Sequence, residues 1–574
     1  MIREKMARFA GGAILTIAVC VSAAAEVPAD CGAKVPFVTY EAEASTTNGK
    51  VVRMEGLPAP NEASPEIEAS GRSYVKLART GEHCEFAAAA AGNALVLRHC
   101  ISDAPTGGGT AATLSLYVNG KFRQKLPLDS RYNWLYGEAS SAHGGQFNDP
   151  DAGRPRVFWN DTRFLCVDNA WQAGDVLRLQ KDADDTAEYY GLDLVDLEMA
   201  PPPLAPPDDE VYLSIVDFGA TGDDEIDDTN AIRECISAAK KQGKTVWFPA
   251  GRFHHSEAFE LEGVQVQGAG MWHTELLGTG RTLGFVLTGN RPRVADLFLE
   301  SLIHQTRNDP GGMTFRSRDA DRWSIERVWM THIHCGMWLS DASRGVLRDS
   351  RIYCTYADAV NLNRGSSHNL VEHNYIRGAG DDGIASLALL EHQAITESNT
   401  LRRNTVVANW WGHNIDIAGG RGHLVESNYL ADNSHSGCFT FNLPSAYPMH
   451  PLTDAIVRRN SIVRGGGNHA GQRRGAVWSF ADDASISGIV FEENKIVAPI
   501  FRGLHLHGRA EQEILFKNNL IESPGEDAVR IDESARGRLT MSANQIRNLK
   551  PGHRAIDNAS GAEFEVVESQ SRID

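Results

Sequence analysis

Paired cysteines, long apolar runs and an excess of basic residues are all missing from this chain. No two of its nine cysteines lie closer than eleven residues apart. There is therefore no CxxC pair on which to build a zinc knuckle. His332-Ile333-His334 and His505-Leu506-His507 each put two imidazoles on one strand face, but no third ligand stands near either in sequence, so zinc is not expected there. Lysine and arginine total 56 against 74 acids, a net charge of −18. That balance argues against nucleic acid or an anionic membrane surface as partner. No stretch beyond the N-terminus has the length and apolarity of a membrane span.

The N-terminus itself has the make-up of an export signal. Arg3, Lys5 and Arg8 precede an apolar run from Ala10 to Val21, and Ala23-Ala24-Ala25 offers small residues for cleavage. Residues 1–25 are expected to be removed near Ala25, placing the protein in the periplasm or outside the cell. The loss of Arg3, Lys5, Arg8 and Glu4 takes the net charge to −20. Eight cysteines remain in a compartment that permits disulfides. Cys335 and Cys354, 19 residues apart, are either buried thiols or a bridged pair.

Helical periodicity is scarce as well, and strand signals fill its place. From residue 26 to 199 short alternating runs such as Ser73–Leu77, Ala94–Arg98, Leu114–Val118 and Val176–Leu179 are separated by turn residues. Asn119-Gly120 is a hairpin signal. This pattern predicts an antiparallel β-sandwich. The run Ala200-Pro201-Pro202-Pro203-Leu204-Ala205-Pro206-Pro207 then marks a semi-rigid linker over 200–210. One amphipathic helix follows, opening at Asp228 or Thr229, buried along Ile232, Cys235, Ile236 and Ala239, and ending at Gly243.

From about residue 260 the chain repeats. Asn374, Asn404, Asn428, Asn460, Asn494, Asn519 and Asn544 recur in similar settings, at intervals of 30, 24, 32, 34, 25 and 25. Apolar couples flank each one. A period in the low twenties with β-branched residues, and without a leucine consensus, predicts a right-handed parallel β-helix over 211–574. A repeated amide can bond a tight turn and ladder onto the amide above. The fold class is thus all-β, a jelly-roll sandwich followed by a β-helix.

Counting from these anchors, Asp358 and Asp382 occupy equivalent positions on adjacent coils, with Asp381 beside them. Coils stack roughly 4.8 Å apart. Three carboxylates therefore crowd onto one patch, where repulsion drives their protonation apart. Acid/base hydrolysis of a glycosidic bond asks for that division of labour. The rival reading is an Asp-rich turn held for backbone reasons. Both Asp381 and Asp382 can face one cleft only if Gly380 and Gly383 allow a kink. Tyr356, Trp338, Trp410 and Trp411 could stack on pyranose rings or belong to the core. His413 and Asp416 follow at the same height, as subsite residues or as a loop edge.

The stretch Ala357-Asp358-Ala359-Val360-Asn361-Leu362 with Gly380-Asp381-Asp382-Gly383-Ile384-Ala385 resembles glycoside hydrolase family 87, the α-1,3-glucanases and mycodextranases. Ser102–Gly109 and Leu114–Gly120 fit the sandwich of that family. The resemblance implies an inverting hydrolase of a neutral α-glucan that uses Asp358, Asp381 and Asp382 and needs no cofactor for catalysis. Inversion would set acid and base about 6.5–9.5 Å apart. Polygalacturonases share the acid pattern, but the Gly-His-Gly and Arg-x-Lys motifs that grip a uronate are missing. By that analogy Asp381 is the acid, and Asp358 with Asp382 holds the water. The segment Tyr40–Ala44 with Leu192–Asp196 resembles carbohydrate-binding modules of families 6 and 35. That likeness implies a structural calcium on Glu41, Glu43 and Asp193; otherwise these acids simply meet water. Trp134, Trp159 and Trp171 are sugar-stacking, core or interface residues. A uronate lyase or epimerase, or a glycan-binding surface protein, is the alternative function. A monomer is expected.

Overall fold

The computed structural model describes residues 30–574, apart from 61, 142–143, 147–148, 154, 209–210 and 304–311. The expected export signal, residues 1–25, lies outside the described residues. The first unit is the expected sandwich. One antiparallel sheet is built around the strands Ala94–Ile101 and Tyr190–Glu198, the other around His83–Ala87, Val176–Gln180 and Ala111–Val118. Their inner faces meet in a core that includes Leu95, Leu97, Leu114, Leu116, Leu177, Leu179 and Trp171. Asn119 and Gly120 both carry positive φ, at 52° and 72°, and close the hairpin between Ala111–Val118 and Lys121–Asp129. That is the backbone a tight two-residue turn requires.

The last sandwich strand ends at Glu198 and the next strand begins at Tyr212. The prolines between them are pinned to the second unit, since Leu204 N–H donates to Ala269 and His273 bonds the Pro201 carbonyl. The helix Thr229–Gln242 buries Thr229, Ile232, Cys235, Ile236 and Ala239 and ends at Gly243, with φ 64°. Asp228 does not cap it by side chain; its carboxylate instead accepts the Thr221 N–H.

The remainder is a parallel β-solenoid of two long sheets. A twelve-stranded sheet runs from Phe259–Glu262 to Ile556–Asn558, and the strands between wrap as the second, larger sheet. One continuous core fills the solenoid. The asparagine ladder is realised along its height. Asn374 donates both its backbone N–H and its Nδ2 to Asn404 Oδ1, and the same paired donation continues through Asn428, Asn460, Asn494 and Asn519 to Asn544. The residue before each rung has positive φ: His373, Arg403, Ser427, Arg459, Glu493, Asn518 and Ala543. Non-glycine residues enter that region only when their surroundings hold them there. The amide ladder supplies that hold.

The two units share a buried, charged interface. Arg377 reaches Asp161 at 2.6 Å and Asp196 at 2.9 Å, Arg98 reaches Asp161 at 3.0 Å and Asp193 at 2.7 Å, and Arg351 grips Glu198 with both nitrogens at 2.7 Å. Ala94, Val96, Trp272, Phe298, Trp329 and Tyr353 pack around this network. The eight described cysteines are all free thiols. Cys335 and Cys354 do not bridge; Cys335 lies in the coil beneath Asp358, while Cys354 Sγ approaches Asp161 at 3.4 Å. Their interval of 19 falls short of a full coil, which is why they do not stack.

Candidate active site

Strand register places the acids. Met337 pairs with Val360, Val360 with Ile384, and Ile384 with Ile415. Two residues before each stand Cys335, Asp358, Asp382 and His413, so these four form one column up the solenoid. Asp381 and Asp382 lie in the bend between the strands Tyr375–Arg377 and Ile384–Leu387. Outside a strand, neighbouring side chains need not point to opposite faces. One carboxylate oxygen from each of Asp358, Asp381 and Asp382 falls within 4.8 Å of the others. Asp358 and Asp382 are buried at the floor, and Asp381 is half-buried.

Glycine is needed here for room. A Cβ on Gly380 would sit 2.3 Å from Trp410 and 2.5 Å from the Tyr356 carbonyl; one on Gly412, where φ is +59°, would sit 2.4 Å from Asp381 Oδ1. The expected kink is therefore a matter of close approach at Gly380, which has no positive φ.

Hydrogen bonds fix the two deeper acids. Asp358 accepts from Asn361 Nδ2 at 2.9 Å and from the Asp382 N–H at 3.0 Å. Asp382 accepts from the His413 N–H at 2.9 Å and lies 2.8 Å from His413 Nδ1. Asp416 stands 4.0 Å from that ring's Nδ1, accepts from Thr440 at 2.6 Å and is also hydrogen-bonded by the Asn442 side chain. Burial opposes charge on His413, but Asp382 and then Asp416 outweigh it and raise the imidazole above its ordinary value. Burial, with Asp382 adding to it, pushes the Asp416 carboxyl up to about 7. Asn361, Thr440, Asn442 and the Asp382–His413–Asp416 relay thus surround the acids. Of these, Asn361, Thr440 and Asn442 escaped the sequence reading. Only their register beside Asp416 and Asp358 could have pointed to them.

The aromatic candidates need correcting. Tyr356 is buried and presents no stacking face. Trp410 packs edge-on to Phe158 at 4.8 Å with the Arg156 guanidinium 4.9 Å from its ring, so it belongs to the contact with the sandwich. Trp411 is buried and stacked on His435 at 3.6 Å. Trp171 is core, Trp159 packs against Tyr74, and Trp134 donates to the Ile101 carbonyl. Trp338 does face outward, beside Asn361. Trp478, two strands beyond Asp416 in the same row, stacks at 6.2 Å from His413.

At the proposed calcium site two acids keep unused oxygens. Glu41 Oε2 and Glu43 Oε2 are buried without a hydrogen-bond partner, a donor set that suits a hard cation. Asp193 departs from the expectation: Arg98 and the Ser70 N–H occupy its carboxylate. Asp532 joins His505 and His507 at 2.9 and 2.8 Å, a third donor not foreseen from sequence. Arg530 lies 2.8 Å from the same carboxylate, so this cluster is an ion-pair network that repels a cation.

Known families and solved structures show the family of this chain. Residues 34–200 match the α-1,3-glucanase catalytic domain D1 family and residues 223–548 match catalytic domain D2. The Agl-KA catalytic domain superposes with a TM-score of 0.84 at 25% identity, covering 94% of this chain and 99% of that one. The catalytic domain of a GH87 α-1,3-glucanase in complex with nigerose gives 0.83 at 26% identity, covering 94% and 100%. An aspartate-to-alanine form of a GH87 α-1,3-glucanase catalytic domain, in complex with tetrasaccharides, gives 0.84 at 25%, covering 94% and 100%. No curated protein sequence matches this chain. The chain belongs to the α-1,3-glucanase catalytic-domain family, glycoside hydrolase family 87, and is a glycoside hydrolase.

Proposed function

We propose that the chain hydrolyses α-1,3-glucosidic bonds in a neutral α-glucan with Asp381 as general acid and Asp358 and Asp382 as the pair that activates water. The observation that carries this is the column of acids on adjacent coils, with oxygens within 4.8 Å. Three forms of the GH87 relative replace a single aspartate by alanine, and the positions replaced are spaced 23 residues and one residue apart. Asp358, Asp381 and Asp382 have the same spacing. Crowded carboxylates cannot all ionise together. His413, whose imidazole is raised by the neighbouring acids and lies 2.8 Å from Asp382, supports Asp382 in the base role. Asp381, the most accessible of the three, is left to deliver a proton to the leaving oxygen.

The stereochemical outcome is testable because the spacing is short. Oxygens within 4.8 Å lie closer than the interval of about 6.5–9.5 Å expected between acid and base in an inverting enzyme. Neighbouring residues on stacked coils are crowded by the backbone itself, so this nearest-oxygen spacing does not by itself report the stereochemistry, and the proposal places the water on Asp358 and Asp382. The first product seen by proton NMR is then the inverted anomer. A retained anomer would mean that one carboxylate attacks the sugar directly. Reducing-sugar release screened on α-1,3-glucan, nigeran, dextran and polygalacturonate tests the substrate; release from polygalacturonate alone would overturn it.

Export through residues 1–25 and a structural calcium on Glu41 and Glu43 belong to the same proposal. Periplasmic or medium location after expression of the full chain checks the first. Calcium bound by the purified protein, and a melting temperature lowered by a chelator, check the second.

A further inference from the structure

A second binding feature lies on the catalytic face, one to two strands before the acids. A cavity of about 640 Å³ opens there, lined by Arg316, Arg318, Arg364, Trp338, Ser340, Glu257 and Glu260 among others. Register ties it to the active site. Arg316 pairs with Trp338, and Trp338 pairs with Asn361, the residue that bonds Asp358. Two strand spacings, roughly 10 Å, separate Arg316 from Asn361 along this outward row. That is on the order of two sugar units. A hydrogen-bonded string runs the same way, from Ser340 to Asn363 at 3.0 Å, Asn363 to Asn361 at 2.6 Å, and Asn361 to Asp358 at 2.9 Å.

The charge in this cavity is unbalanced. Both acids are already used: Glu257 pairs with Arg233, and Glu260 with Arg318 at 3.1 Å. The Arg316 side chain makes no hydrogen bond or ion pair among the described residues, and its Nε is buried without a partner. Arg364 likewise has no acidic partner among the described residues. Burial, with Arg318 nearby, lowers the Arg316 guanidinium below its ordinary value. Two uncompensated guanidinium groups beside an outward tryptophan stand out on a chain of net charge −18.

We infer that this cavity is a subsite for an anionic substituent, a carboxylate or phosphate ester, carried by a sugar unit of the glycan whose neighbouring ring stacks on Trp338. Planar guanidinium groups match both anions with two parallel hydrogen bonds. Tryptophan gives the apolar face a pyranose needs. The inference rests on the proposed cleavage of α-1,3-glucosidic bonds, and replaces the neutral glucan of that reading by one bearing acidic groups.

The test compares α-1,3-gluco-oligosaccharides in three forms: unmodified, oxidised at the primary alcohol to the carboxylate, and phosphorylated at that alcohol. kcat/KM is measured for the wild type, R364Q, R316Q and the double variant. The wild type is expected to favour at least one anionic form by about tenfold, at low salt, and the double variant to lose most of that anionic-to-neutral ratio. Carboxylate and phosphate arms identify which substituent fits. Arg364 is exposed, so R364Q keeps the test valid should R316Q fold poorly. Equal kcat/KM on all three forms, or an unchanged ratio in R364Q and the double variant, would overturn the subsite. Quenching of tryptophan fluorescence by the same oligosaccharides separates the two ideas. Arginine-dependent binding of the anionic forms without hydrolysis of any form would sink the glucanase reading and keep the subsite. Hydrolysis of the neutral form with no charge-dependent binding would do the reverse.

Discussion

Asp382 is held from three sides: its N–H bonds Asp358, and its carboxylate takes both the His413 N–H and the His413 ring. Replacing Asp358, Asp381 or Asp382 by Asn keeps this shape and removes the acid/base group. Each variant is expected to lose about 10²–10⁴-fold in kcat, measured on α-1,3-glucan; a variant with wild-type turnover would remove that residue from the mechanism. Asp416 gives a second prediction, in pH. Its carboxylate helps keep His413 charged. In Asp416→Asn the imidazole loses its proton at lower pH, so the alkaline limb of the kcat/KM profile moves toward acid. Stability follows from the same group. Its folded-state carboxyl is raised from 3.8 to about 7, so its contribution is complete below about pH 4 and is lost as pH rises through 7. Thermal melts should show the wild type falling behind Asp416→Asn across that window.

At the scale of the element, the repeating unit is a turn whose strained residue is secured by an amide from the next coil. Asn494 illustrates the demand. It donates to Asn519 and to the carbonyls of Val457 and Glu492, and accepts from Asn460. Truncation to Ala leaves several buried backbone groups unpaired, each costing about 1–3 kcal/mol. Asn494→Ala should therefore lower the melting temperature yet keep kcat, because its coil lies beyond the acids. Asn374→Ala should lower both, because its coil carries Asp381 and Asp382. Differential scanning calorimetry beside turnover separates the two. Equal loss of turnover in both variants would show that the ladder acts on the fold as a whole.

The whole molecule is one catalytic unit, because the sandwich supplies the counter-charges for arginines on the solenoid. Arg377 is fully buried and holds Asp161 and Asp196. Arg377→Met strands Asp196 without a cation, a loss of about 3–5 kcal/mol. Adding Asp196→Asn should restore part of it, in chemical denaturation of the full chain; no recovery would mean that packing, and not charge, dominates this contact. The interface also reaches the active-site loop. Arg156 of the sandwich donates to the Trp410 carbonyl at 3.1 Å, two residues before Gly412. Arg156→Ala should lower kcat through the Trp410 loop that it holds, and unchanged turnover would separate the sandwich from catalysis.

Much of this was legible in the residues. The Asn period, the flanking apolar couples and the helix face reappear in the fold because local patterning decides them, one coil at a time. The equivalence of Asp358 and Asp382 was likewise countable, since a solenoid converts sequence interval into height. The fate of Trp410, Trp411 and Tyr356 was not. Their burial depends on Phe158, Arg156, His435 and the coil beneath, which lie far away in sequence. Nor could spacing show that Asp193 would serve Arg98, or that Arg316 would meet no acid among the described residues. The chain by itself determined the winding and the height of each acid, because both are short-range properties of a repeat. Only the tertiary structure decided which side chains are covered and which charges find partners, because those outcomes depend on surfaces brought together from opposite ends of the chain.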